Sequence, residues 1–140
     1  MKAKQEPVAK YRTVLLIDED QIDNFINERM ITSTFFAKEV IVKTSALEAL
    51  EFLKKILDKQ GILPELIFLD LNMPVVDGFG FLVEYDILVQ AFPRLKTDCK
   101  VIVLSSSISP ADIDRASTNP YVVRYLNKPL NQKYLDAVNV

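Results

Sequence analysis

The sequence predicts an α/β domain: a doubly wound, five-stranded parallel sheet with helices on both faces. Three observations carry this. Five short apolar runs mostly lack period-two alternation, as strands buried on both faces do; helical patterns fill the intervals; polar and acidic residues follow the runs directly. A chain of 140 residues is long enough to close one such core unaided.

The first eleven residues, MKAKQEPVAKY, read as a flexible extension, and the domain is expected over 12–140. The first strand is TVLLI (13–17), followed by a helix whose apolar positions Ile22, Phe25, Ile26 and Met30 share one side. EVIV (39–42) is the second strand. Ser45 and Glu48 then form a capping box, in which each side chain satisfies an amide at the start of the next helix. Leu47, Leu50, Leu53 and Leu57 make its stripe, and Gly61 lies past its end. The third strand is ELIFL (65–69), and the helix from about Gly78 buries Leu82, Tyr85 and Val89. After KVIVL (100–104), Ser109 is placed to cap a helix with Pro110 at its first position and Asp112 three residues after the cap. YVVRYL (121–126) is the fifth strand, and a last helix from about Asn131 presents Tyr134, Leu135 and Val138.

Composition removes several classes of function. Hydrophobic residues at 49% and charged ones at 26% fit a soluble globular protein, and no apolar run has the length a bilayer requires. The N-terminus lacks the apolar stretch of a secretory signal, so the expected compartment is the cytoplasm. Seventeen basic and nineteen acidic residues, with no basic cluster, argue against direct DNA binding. Cys99 is the sole cysteine and histidine is absent, which leaves no ligand set for an ordinary zinc or haem site.

In a doubly wound fold, ligands bind at the carboxyl ends of the strands, where the strand order reverses. At those ends stand Asp18, Glu19 and Asp20, then Asp70 and Asn72, then Ser105 to Ser107, then Asn127, Lys128 and Pro129. Carboxylates sharing a cleft repel, and burial penalises them further, so a cation is needed to keep them ionised. An all-oxygen set suits a hard divalent ion, most simply Mg²⁺. Lys128 and Ser105 suit phosphate oxygens, and an aspartate can itself attack phosphorus to give an acyl phosphate. Asp70, at the end of the central apolar run, is the candidate nucleophile.

These motifs resemble the receiver domain of two-component response regulators, of the stand-alone, chemotaxis-regulator-like type, over about residues 12–138. LLIDED resembles the family's acidic pair, FLDLNMPVVDG its phosphoacceptor loop, VIVLSSS its switch hydroxyl and YLNKPL its aromatic and lysine. The resemblance implies a flavodoxin-like topology, with Asp70 as phosphoacceptor and Asp18, Glu19, Asp70 and the backbone carbonyl of Asn72 as the Mg²⁺ site. Asp18 would act mainly through water. It assigns Lys128 and Ser105 to the phosphoryl group, Ser105 and Tyr125 to the switch, and a cis bond before Pro129. The implied partners are a sensor histidine kinase or histidine phosphotransfer protein and a downstream protein. The downstream protein would bind the face formed by the helix from Pro110, the fifth strand and the last helix. A phosphorylation-dependent dimer is a further option. Phosphorylation would draw Ser105 and Lys128 toward Asp70, with Tyr125 moving inward. Ser106 and Asn72 flank the approach of water to phosphorus.

Three departures from the family pattern stand out. Glu19 replaces the usual aspartate, Asn119 to Val123 replace a short glycine-containing turn, and only nine residues follow Asn131. A short last helix is therefore expected, with a longer parent chain as the alternative. A relay role, passing phosphate on to a histidine, stays open beside the endpoint role. A small Mg²⁺-dependent phosphatase with an aspartate nucleophile is the alternative from another class; it would want a second acid two residues after Asp70, where Asn72 stands.

Overall fold

A computed structural model describes residues 8–140. Its elements are β1 (Tyr11–Ile17), α1 (Gln21–Ser33), β2 (Ala37–Lys43), α2 (Ala46–Asp58), β3 (Leu66–Leu69), α3 (Gly78–Ala91), α4 (Arg94–Asp98), β4 (Lys100–Ser105), α5 (Pro110–Ser117), β5 (Val122–Asn127) and α6 (Gln132–Ala137). All neighbouring strands pair in parallel in the order β2-β1-β3-β4-β5, so the doubly wound sheet is as predicted. The order reverses between β1 and β3, and that is where a crevice forms.

Alternate residues of the central strands feed two cores. Leu15, Ile17, Ile67, Leu69 and Val101 pack with α2, α3 and Leu95 of α4, while Val14, Leu16, Phe68, Ile102 and Leu104 pack with Ile31 of α1 and Leu135 of α6. All of these residues are buried. Burial on both faces explains the unbroken apolar runs.

Several elements differ from the sequence reading. Tyr11 lies inside the expected extension yet opens β1, its N–H donating to the Phe36 carbonyl at 2.9 Å; the extension's first seven residues lie outside the described part. In α1 the expected inward stripe is largely outward, with Ile22 72%, Phe25 62% and Ile26 44% exposed, while Asn24, Asn27 and Ile31 face in. The reason is polar: the Asn24 amide donates to the Asp18 carbonyl at 2.7 Å, and the Asn27 side-chain oxygen accepts the Leu130 N–H at 3.2 Å. In α2, Leu47 is exposed, and Ala46 and Ala49 line the core beside Leu53 and Leu57. Ser45 and Ser109 cap α2 and α5 as expected, although the Glu48 carboxylate accepts the Thr44 N–H rather than that of Ser45; Asn131 caps α6. α4 was not legible, since Leu95 is its one buried residue.

The end of α2 yields a first prediction. The Gly61 N–H donates to the Ile56 carbonyl at 2.9 Å and the Gln60 N–H to the Leu57 carbonyl at 3.2 Å, the paired bonds of a Schellman ending. The left-handed residue in that ending is Gln60, with φ 55°, and not the neighbouring glycine. A Cβ disfavours this region. Gln60→Gly is expected to raise stability by about 0.5 kcal/mol, the relief of strain exceeding the added entropy of the unfolded chain. A urea titration in which the variant is less stable than the parent would contradict this.

Candidate functional site

The reversal point sets two acids side by side. The Asp18 N–H donates to the Lys43 carbonyl at 3.1 Å and the Asp70 N–H to the Ile17 carbonyl at 3.0 Å, so each residue directly extends a ladder of the sheet. Both side chains are buried, Asp18 1% and Asp70 4% exposed. From the loop after β5, Lys128 reaches between them: its Nζ is 2.5 Å from Asp18 Oδ2, 3.0 Å from Asp23 Oδ2 and 3.4 Å from Asp70 Oδ1. The Lys128–Pro129 bond is cis.

Electrostatics follow from this crowding. Burial first, and then the charge of Asp18, push the Asp70 carboxyl up to about 6; Lys128 and the backbone N–H of Asn72 oppose the shift without cancelling it. For Lys128, burial works against the charged form. Hydrogen bonds to Asp18 and Asp23 and the charges of Asp70 and Asp18 outweigh it and hold the ammonium above its ordinary value. Asp70 Oδ1 has only a 3.4 Å charge contact with Lys128, outside hydrogen-bonding geometry, and Asp18 Oδ2 has no neighbour to neutralise it but the same ammonium. Two such oxygens in one cleft fit a hard cation, which would satisfy both.

The other expected ligands are placed differently. Glu19 is exposed, and among the described residues no three acidic side chains are gathered into a ready-made metal cage. Asp20 serves as the cap of α1, its Oδ1 accepting the N–H groups of Ile22 at 2.9 Å and Asp23 at 3.0 Å. An Asp-Glu-Asp run thus divides its work between a helix terminus and the cleft. Asn72 is exposed, two residues past Asp70.

Ser105 ends β4 fully buried, its Oγ accepting the Ser107 N–H at 3.1 Å and its carbonyl accepting the Lys128 N–H at 3.0 Å. Tyr125 is half-buried on β5, and its hydroxyl donates to the Ser107 carbonyl at 2.8 Å. Asn127 Nδ2 donates to the same carbonyl at 3.2 Å, and Ser107 Oγ donates to Asp112 at 2.7 Å. The loop between β4 and α5 is thereby tied to β5 behind the cleft.

Sequence reasoning missed Asp23, Asn24 and Asn27, and placed Ser107 on the rim without a role. Asp23 reads from sequence as an acid favouring a helix N-terminus, and its partner stands 105 positions away. Asn24 and Asn27 lie off the apolar stripe that marks the helix in the sequence. Before β5, where the sequence departs from the family pattern, α5 ends at Ser117 and Asn119 Oδ1 accepts the Tyr121 N–H at 2.9 Å.

The phosphoacceptor-like loop has its own constraints. The Val76 N–H donates to the Pro74 carbonyl at 2.8 Å around Val75, whose φ is 67°, a tight γ-turn that few β-branched residues adopt. Gly78 then begins α3 with its N–H donating to the Leu71 carbonyl at 2.9 Å, which folds the helix start back against the end of β3.

Comparison with known proteins agrees with this architecture. The chain is 30% identical over 125 residues to the response regulator Rcp1 of Synechocystis sp., covering 89% of this chain and 81% of that protein. A two-component response regulator from Cytophaga hutchinsonii superposes with a TM-score of 0.79 at 35% identity, over 90% of this chain and 92% of that one. The Mn(2+)-bound form of Rcp1 gives a TM-score of 0.68 at 29% identity, over 89% and 86% of the two chains. A family profile described as "Response regulator receiver domain" matches residues 14–138. With its parallel sheet in the order β2-β1-β3-β4-β5 and two acids and a lysine at the reversal point, the chain belongs to the response regulator receiver domain family.

Proposed function

We propose that this protein is a phosphorylation-controlled signalling receiver in which Asp70 takes a phosphoryl group from a phosphohistidine of a sensor kinase or phosphotransfer protein. The observation that carries the reading is the pair of buried carboxylates, Asp18 and Asp70, which share the single ammonium of Lys128 at the reversal of the sheet. In the transfer an Asp70 oxygen forms a bond to phosphorus while the phosphorus–nitrogen bond of the donor breaks, the electron pair leaving with the nitrogen. Asp70 supplies the nucleophile, and Lys128 neutralises charge on the phosphoryl oxygens. Ser105, buried next to the lysine loop, is the hydroxyl donor once its Oγ turns from the Ser107 amide.

Asp18 and Asp70 would hold Mg²⁺, assisted by Glu19 and the Asn72 carbonyl as their loops adjust. When bound, the ion supplies charge neutralisation for the phosphoryl group. The metal carried by the Rcp1 structure supports this assignment. Readout runs through Tyr125, whose hydroxyl bond to the Ser107 carbonyl couples the loop after β4 to the surface of α5, β5 and α6. The output is a protein contact at that surface, and the chain's own chemistry is confined to gain and loss of one phosphoryl group. Among the described residues no helix is long and apolar enough to cross a membrane.

Incubation with phosphoramidate and Mg²⁺ is expected to add one labile phosphoryl group by intact mass. Asp70→Asn or chelation of the ion should abolish it. Label stable as a phosphoserine, or undiminished in Asp70→Asn, would overturn the reading.

A further inference from the structure

Lys128 has a partner that the proposed chemistry does not use. Asp23 projects from the first turn of α1, and its Oδ2 accepts a hydrogen bond from Lys128 Nζ at 3.0 Å. The Lys128 contact with Asp70 is longer, 3.4 Å, and lacks hydrogen-bonding geometry. The shortest contact of the ammonium, 2.5 Å, is to Asp18 Oδ2 just ahead of α1, so Asp18 and Asp23 together hold it on the α1 side of the cleft. Asp23 is itself fixed in place: its N–H is capped by Asp20, and α1 is seated by Asn24 on the Asp18 carbonyl and by Asn27 on the Leu130 N–H. Leu130 is two residues beyond Lys128, so the same helix holds both ends of this pair.

We infer that Asp23 is a positioning residue that tethers Lys128 in the unphosphorylated state and competes with the incoming phosphoryl group for it. The inference rests on the receiver reading above. A charge-assisted hydrogen bond must be given up before the ammonium can face the phosphoryl oxygens, and that loss adds to the barrier for acyl-phosphate formation. Asp23 is partly open to solvent, with 38% of its side chain exposed, so the penalty is moderate.

The test measures the rate of phosphoryl incorporation from phosphoramidate at saturating Mg²⁺ in wild type, Asp23→Asn, Lys128→Gln and the double variant. Asp23→Ala serves as a second substitution should the amide make a new bond to the lysine. Release of the tether is expected to speed incorporation about fivefold in the Lys128 background, and clearly less in the Lys128→Gln background. A helix-dipole role for Asp23 would lower stability and leave the rate alone, whereas general repulsion of the donor would give the same factor in both backgrounds; either result overturns the inference. So does a slower rate in both Asp23 variants. Absence of labelling in the wild type, or labelling that survives Asp70→Asn, overturns the receiver reading itself and the tether's role with it.

Discussion

Without divalent metal, Asp70→Asn is expected to be more stable than the wild type at pH 7.5, by about 2 kcal/mol. Asp70 is held at about 6 in the fold against 3.8 for an unperturbed carboxyl. A carboxyl that binds its proton more tightly folded than unfolded favours the fold where it is protonated. That contribution is complete below the unfolded value and is lost as pH rises through about 6. The difference between the two values, with the opposing pull of Lys128 already contained in it, corresponds to about 3 kcal/mol, and burying the polar amide of the asparagine takes back part of the gain. Urea denaturation in the presence of a chelator should show the wild type gaining stability as pH falls from 7.5 to 5, with the gain much reduced in Asp70→Asn. Adding Mg²⁺ at pH 7.5 should stabilise the wild type far more than the variant. Equal stability of the two proteins at pH 7.5 without metal would show that burial of Asp70 is not costly.

Gly78→Ala should be the most damaging single-methyl change in the domain, costing about 3 kcal/mol. A Cβ built on Gly78 would stand 2.6 Å from the Asp70 carbonyl oxygen and 2.7 Å from Leu71 Cα, both backbone atoms. Neither can retreat easily, since the Asp70 N–H is bonded to Ile17 and the Leu71 carbonyl to the Gly78 N–H itself. Overpacking against fixed backbone costs more than against a side chain that can change rotamer. Gly80 offers a contrast: the nearest atom to its added Cβ is a Val76 side-chain methyl at 2.8 Å, so Gly80→Ala should be milder. Paired chemical denaturation of the two variants checks this, and a Gly78→Ala loss under about 1 kcal/mol would contradict it. Because the displaced atoms belong to Asp70 and Leu71, the surviving folded fraction should also label more slowly.

The sheet was legible because its strands are buried on both faces, which leaves continuous apolar runs such as LIFL and VIVL with little else they can form. Polar residues right after those runs marked the rim for the same reason, since a charge at the end of a buried strand needs a purpose. Strand order came only through the resemblance, because pairing partners leave no mark on one sequence. The face of α1 was misread because a stripe of Ile22, Phe25 and Ile26 has the spacing of a core contact. The amides that displaced it are spent on backbone groups of the Asp18 and Leu130 segments, a demand visible only once the chain is folded. Asp23 was hidden likewise, by a contact spanning most of the chain.

The seating of α1 has a consequence for accuracy. A helix held only by an apolar stripe tolerates rolling through part of a turn, because dispersion contacts are many, weak and interchangeable. Two hydrogen bonds, from Asn24 to the Asp18 carbonyl and from the Leu130 N–H to Asn27, have direction and admit one angular setting. The carboxylate of Asp23 projects from that same helix start, so its bearing on the cleft is fixed by the amides. The tolerance of a charged arrangement on one side of the domain is thus set by two neutral side chains.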